Sequence, residues 1–232
     1  MKKRLFLIGA GLLILLLLAF GSHKLMNSRT FQLFGGLTSE IETTQKVVAI
    51  TFDDGPTEKA EDILSLLEQF NAKATFFLIG NDMEKFPEAA AKIAEAGHQI
   101  GNHTFSHSRM VLKSPAFIRE EIEKTDQLIR QAGYTGEIDF RPPNGKKLIA
   151  LPFYLDKQNR DTIMWNLEPD SYYTHSSDKV KYVKENIKPG SIILMHPWYD
   201  DTGEELKALE GILQTLTNEG YTFVTVNELQ DL

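Results

Sequence analysis

From Lys46 onward the chain alternates short apolar runs with segments of helical period, and this alternation restricts the fold more than any other feature. Val47-Val48-Ala49-Ile50-Thr51-Phe52 opens the series as a buried strand. Ala60, Ile63, Leu64, Leu67 and Phe70 then recur at helical spacing. Residues 74–79 form a continuous apolar run, the pattern of a strand covered on both faces. Pro87 opens a helix that reaches Glu95, and Gly97 closes it. Residues 98–102 make a short third strand, and Ser114-Pro115 start a helix that ends by Gly133. A fourth strand is predicted over 138–141, then a helix over 146–157 disturbed by Pro152. A fifth strand over 161–165, a helix over 177–187 and a sixth strand over 191–195 follow. Leu206, Leu209, Ile212, Leu213 and Leu216 mark an amphipathic last helix, and 221–226 read as a seventh strand. Seven strands alternating with helices imply an α/β fold with a parallel sheet. Periodicity fits a closed barrel and an open doubly wound sheet equally.

Composition narrows the possible functions. A chain of 232 residues that is 42% hydrophobic can bury one large core and is not globally disordered. The net charge of −7, with acids spread along the chain, excludes a nucleic-acid surface, which needs clustered Lys and Arg. The absence of cysteine excludes a disulfide frame and a thiolate metal site. Lys2, Lys3 and Arg4 precede an uncharged apolar run over 5–20, the pattern of an export signal. Residues 1–21 are therefore a cleaved signal peptide or an uncleaved signal anchor, with the anchor preferred and the bulk of the chain outside the cytoplasm. Residues 22–45, with Gly35-Gly36 and Thr/Ser-rich flanks, read as a stalk, and 46–232 as the α/β domain.

Polar residues gather where strands end, the position at which α/β proteins carry out chemistry. The first strand runs into Asp53-Asp54 and then Gly55-Pro56, which stop it. One of these aspartates can bind a metal while the other acts as a base; a solvated turn is the plainer alternative. After the third strand come His103 and His107, four residues apart. Two histidines at this spacing are more often solvated than ligating. Together with a strand-end aspartate they suit an Asp-His-His site for zinc or another divalent transition metal, with positions left open for water. Arg141-Pro142-Pro143-Asn144-Gly145 follows the fourth strand and is a rigid turn whose arginine can pair with a carboxylate. Leu194-Met195-His196 ends the sixth strand at the same mouth.

These four stretches, in this order, resemble the motifs of the polysaccharide deacetylase family, the NodB-homology domain of carbohydrate esterase family 4, over about residues 46–230. The resemblance implies a distorted (β/α)7 barrel and the hydrolysis of N-acetyl groups from an amino-sugar polymer. It implies one divalent ion, zinc first with cobalt or another transition metal behind it, held by Asp54, His103 and His107. Asp53 matches the catalytic base and Arg141 the residue that orients it. The backbone amide of Asn144 matches an oxyanion donor, His196 the general acid and Leu194 a wall of the acetyl pocket. The family usually has tyrosine where Asn144 stands. Its acid-supporting aspartate falls at Ser171, with Tyr172 in place of the neighbouring tryptophan; Glu168 and Asp170 are the acids near enough to substitute.

Tyr172, Tyr173 and Trp198 offer flat apolar faces for stacking on sugars, or serve as core and rim residues. The expected substrate is an acetylated glycan, with a bacterial cell-wall polymer first and chitin-like oligomers second. Membrane contact is expected through the N-terminal segment only, and the protein is expected to be a monomer. Two other functions are compatible with the same residues: a non-catalytic carbohydrate-binding protein, and an amidase for a small non-sugar amide.

Overall fold

The structure is a computed structural model and describes residues 2–232. Its central strand is β2 (Val47–Gly55), buried at every position except Val47 and Asp54. The helix α1 (Lys2–Asn27) and the two-residue strand β1 (Leu37–Thr38) precede it. β2 is followed by α2 (Ala60–Gln69), β3 (Ala74–Leu78), α3 (Gly80–Lys85), α4 (Pro87–Glu95) and β4 (Gln99–Asn102). Then come α5 (Pro115–Gln131), α6 (Ala150–Lys157), β5 (Thr162–Ile163) and α7 (Ser176–Asn186). The chain ends with β6 (Ile192–Met195), α8 (Glu204–Asn218), β7 (Thr222–Phe223) and α9 (Val226–Gln230).

All the strand pairs are parallel. β3 lies on one side of β2, with β4 beyond it. On the other side β6 pairs with residues 49–52 of β2. β7 pairs with residues 47–48 on the β3 side, where Thr222 and Val224 donate to the Lys46 and Val48 carbonyls and Lys73, just before β3, donates to the Phe223 carbonyl. Phe140 bridges Asn102 to Thr162, and Leu167 bridges back to Ile193. These links close the ring into the distorted barrel that the family resemblance implies.

The helices cover the outside with narrow apolar stripes. α2 buries Ala60, Ile63 and Leu67, and α8 buries Ala208, Leu209, Ile212, Leu213 and Leu216. A fully buried Leu or Ile contributes about 1.5–3 kcal/mol, so α8 alone is a major stabilising element. Ser114 caps α5 by accepting a hydrogen bond from the Phe117 N–H, as the Ser-Pro signal predicts.

Several expected elements differ in extent. The expected fourth strand is reduced to the single bridging residue Phe140, because Pro142 and Pro143 follow and have no N–H to extend the ladder. The helix expected from 146 starts at Ala150, which puts Pro152 in the first turn, where a missing N–H does no harm. The seventh strand stops at Phe223. Thr225 and Glu228 then form a reciprocal capping box that opens α9, so Val226 is helical rather than extended.

The stalk expected over 22–45 is largely part of the domain. α1 continues past residue 21 to Asn27, and β1 pairs with β5. Gly35 and Gly36 are close-contact residues rather than a flexible connector. A Cβ on Gly36 would lie 2.1 Å from Asp161 Oδ1, and one on Gly35 would lie 3.2 Å from the Asp156 Cβ. The absence of side chains therefore brings this segment against the barrel wall.

Asp139 is 4% exposed, just before the Phe140 bridge, and accepts a hydrogen bond from Gln99 Nε2 at 2.9 Å. Burial pushes its pKa up to about 7 despite that hydrogen bond. The unfolded-state value is about 3.9, so ionisation costs stability increasingly from about pH 4 to pH 7. Asp139→Asn keeps an acceptor for Gln99. Thermal unfolding should therefore show the variant melting above the parent at pH 8 and level with it at pH 4.

Candidate active site

In a regular strand, consecutive side chains point to opposite faces, so Asp53 and Asp54 could not share one mouth. β2 resolves this with an irregularity between Asp53 and Gly55, where Asp54 adopts φ 69°. The extra residue re-aims a side chain, as bulges beside active sites do. Thr104, His107 and Asn144 also have positive φ, at 69°, 54° and 53°. Such conformations cost of order 1–3 kcal/mol each and persist where the surroundings impose them.

The His103–His107 loop is held from several directions. The Thr104 N–H donates to Asn102 Oδ1 at 2.8 Å, and Glu121 accepts from both the N–H and the hydroxyl of Ser106 at 2.8 Å. The N-terminus of α3, a helix too short to show an apolar period, donates from Gly80 and Asn81 to the carbonyls of Thr104 and Phe105. Near β2, His103 Nδ1 lies 2.7 Å from the Arg141 carbonyl. A carbonyl only accepts, so Nδ1 carries the proton and Nε2 presents its lone pair to the cleft.

Asp54 Oδ1 lies 3.4 Å from His103 Nε2 and 3.0 Å from His107 Nε2. The oxygen is buried and has no well-formed hydrogen bond. Ligands about 2.1 Å from a tetrahedral ion stand about 3.4 Å apart, so the spacing and the orphaned oxygen both fit a divalent cation. Burial would raise the Asp54 pKa, but the two imidazoles hold it well below the usual carboxylate range. His107 is raised, first by its close contact with the Asp54 carboxylate.

Asp53 is buried beside this triad. Its Oδ1 accepts from Arg141 Nη1 at 2.7 Å, and its Oδ2 lies 3.6 Å from His103 Nε2. Arg141 is fully buried and donates also to the Thr51 hydroxyl and to the carbonyls of Ile163 and Met164. Its guanidinium stacks 4.1 Å from the Phe77 ring centroid. Burial lowers the Arg141 pKa, and the Asp53 carboxylate opposes that shift.

Across the mouth, Asp170 Oδ2 accepts from the His196 N–H at 2.7 Å and lies 3.3 Å from His196 Nδ1. Of the two acids considered as support for His196, Asp170 makes this contact. Its other oxygen accepts from buried Lys179 at 3.0 Å. Burial alone would lower the His196 pKa. The Asp170 contact, followed by the charges of Asp53 and Asp54, raises it to about 9. Glu168 instead binds Trp165 Nε1 at 2.9 Å and Arg29 at 2.7 Å.

The cleft these groups share holds about 360 Å³ and includes Leu194, Asn144 and Ser171 in its lining. Arg29, Arg109 and Lys146 complete it, and no motif pointed to them. Arg29 was hidden in the presumed stalk. One substrate-contact expectation changes. Trp198 is 1% exposed and packs in the core, where a Cβ on Gly55 would come within 2.3 Å of its ring, so it presents no face to a sugar. Tyr172 is exposed but lies outside the cleft lining, clustered with Tyr173 and Tyr182.

The polysaccharide deacetylase family model matches residues 40–157. The chain belongs to the polysaccharide deacetylase family. Among its relatives is a peptidoglycan-N-acetylglucosamine deacetylase of Bacillus cereus, 39% identical over 186 residues, which cover 77% of this chain and 66% of that one. The crystal structure of a peptidoglycan N-acetylglucosamine deacetylase superposes with TM-score 0.76 at 33% identity, covering 82% of this deacetylase-family chain and 91% of the other. A CE4 family pseudoenzyme from Bacillus anthracis superposes with TM-score 0.74 at 29% identity, covering 82% and 67%.

Asp170→Asn removes the negative charge that favours the imidazolium of His196. The NMR titration of the His196 ring should then move from about 9 toward the ordinary imidazole value, with the barrel still folded.

Proposed function

We propose that this protein hydrolyses N-acetyl groups on amino sugars of a bacterial cell-wall glycan, peptidoglycan first, releasing acetate and leaving a free amine. One observation carries the reading. A buried, orphaned carboxylate oxygen on Asp54 faces two imidazole nitrogens, with a second carboxylate beside it and a histidine across the cleft. The peptidoglycan deacetylases among the relatives support this substrate class.

Asp54, His103 and His107 are the residues that would hold one divalent ion, with zinc the first choice. When bound, the ion supplies Lewis-acid polarisation of the acetyl carbonyl and lowers the pKa of water. The protein supplies the proton transfers. Arg141 holds one oxygen of Asp53, which leaves Oδ2 toward the cleft to accept a proton from the attacking water. His196, kept protonated by Asp170, donates to the sugar nitrogen as the C–N bond breaks. Leu194 and Asn144 border the space for the acetyl group. Asp53 gains one proton and His196 loses one, so passing that proton back restores both groups, and amide plus water give acetate plus the protonated amine.

α1 fits a signal anchor that holds the domain on the outer face of the membrane, with Lys2, Lys3 and Arg4 inside. A purely carbohydrate-binding role is opposed by the convergence of all five polar groups at one mouth.

Acetate release from acetylated peptidoglycan fragments tests the reading, with the purified protein measured with zinc or cobalt and again after chelation. Asp53→Asn should lower turnover roughly 10²–10⁴-fold while metal binding persists. Turnover near the parent level, or full activity after chelation, overturns the assignment.

A further inference from the structure

Phe31, Leu33, Phe34, Ile149 and Phe153 are large apolar residues between 38% and 56% exposed. Phe31, Leu33 and Phe34 lie within four residues of chain, Ile149 and Phe153 lie one turn apart at the start of α6, and Phe34 and Phe153 join the two groups. Phe34 and Phe153 meet edge to face with ring centroids 5.3 Å apart, and the segment through Gly35 lies along α6 at Asp156. Lys157 reaches over the Phe153 ring at 5.5 Å. Contiguous exposed apolar surface of this kind marks an interaction site.

Its position identifies the partner. α1 has no buried residue, and its apolar run ends at Phe20. Asn27 is seven residues further on, about 10 Å along a helix. From there the chain is fastened to the cleft. Asn27 and Ser28 bind the Lys146 and Lys147 ammonium groups, and the Lys147 N–H donates to the Met26 carbonyl at 3.4 Å. Arg29 is held by Glu168 and stacks 4.5 Å from the Trp165 ring centroid. The patch begins two residues later, at Phe31. A short hydrogen-bonded link therefore joins the apolar run of α1, the patch and the cleft rim. Aromatic rings with a neighbouring lysine suit the headgroup and upper acyl region of a lipid leaflet.

We infer that the patch around Phe31, Leu33 and Phe153 seats the catalytic domain on the outer lipid surface and holds the rim of the cleft at Arg29 and Lys146 next to the bilayer. This rests on α1 being retained as an anchor. Substrate would then be taken from glycan close to the membrane rather than from distant wall.

The chain has no cysteine, so a single introduced thiol reports one position. The full chain is reconstituted in phosphatidylcholine–phosphatidylglycerol vesicles after bimane labelling at Phe153→Cys, Leu33→Cys or Ile149→Cys. Glu68→Cys serves as control: it lies on α2, which packs on α4 and α8 rather than on α6. Melting temperature verifies folding. Lipids with a nitroxide near the headgroup should quench positions 153 and 33 several-fold more than position 68, because all four share the same tether. Quenching at 153 and 33 no stronger than at 68 overturns the proposal while leaving the anchor intact. Protein that washes off in alkaline carbonate overturns both.

Discussion

Arg141 is the fixed point of the cleft. Its guanidinium, sealed from solvent, binds Asp53 and Thr51 on β2 and the carbonyls of Ile163 and Met164 across the ring. A charge buried so completely is tolerable only when its donors are matched. Asp53 supplies the countercharge, and the end of β5 supplies the carbonyls. The backbone of Arg141 adds a further constraint, because its carbonyl sets the tautomer of His103. One residue thus holds the base, orients a ligand and ties β2 to the fifth strand. Replacing it would disturb all three together.

The left-handed residues belong to the same arrangement. Asp54, Thr104, His107 and Asn144 all adopt backbone conformations that side chains disfavour, and all lie at the mouth. The surrounding hydrogen bonds from Asn102, Glu121 and α3 hold the His103–His107 loop in its strained form. The geometry is therefore set before any cation or sugar arrives. Preorganisation of this kind lets polar groups act without reordering during a reaction.

Much of this was legible in the sequence because strand-end polar residues and apolar runs are local signals. The run into Asp53-Asp54 and the His103–His107 spacing located the mouth, and the helical periods of α2 and α8 located the outer layer. What stayed hidden was non-local. No pattern in 138–141 reveals that only Phe140 bridges, since this depends on the prolines beyond it. Gly35-Gly36 looks like a flexible connector until Asp156 and Asp161 are found against it. Trp198 follows His196 closely, and only the three-dimensional packing against Gly55 puts it in the core. Asp170 and Glu168 could not be told apart by spacing, because each ends in a different hydrogen-bonded group.

The strand pairing of Leu37 and Thr38 with Thr162 and Ile163 has a consequence for how the domain is bounded. The recognisable family match starts at residue 40, beyond both this strand and Arg29. An excised piece beginning there would leave the edge of β5 bare and the Glu168 carboxylate without its cation. The working unit thus starts earlier than its signature, at the point where the chain emerges from α1.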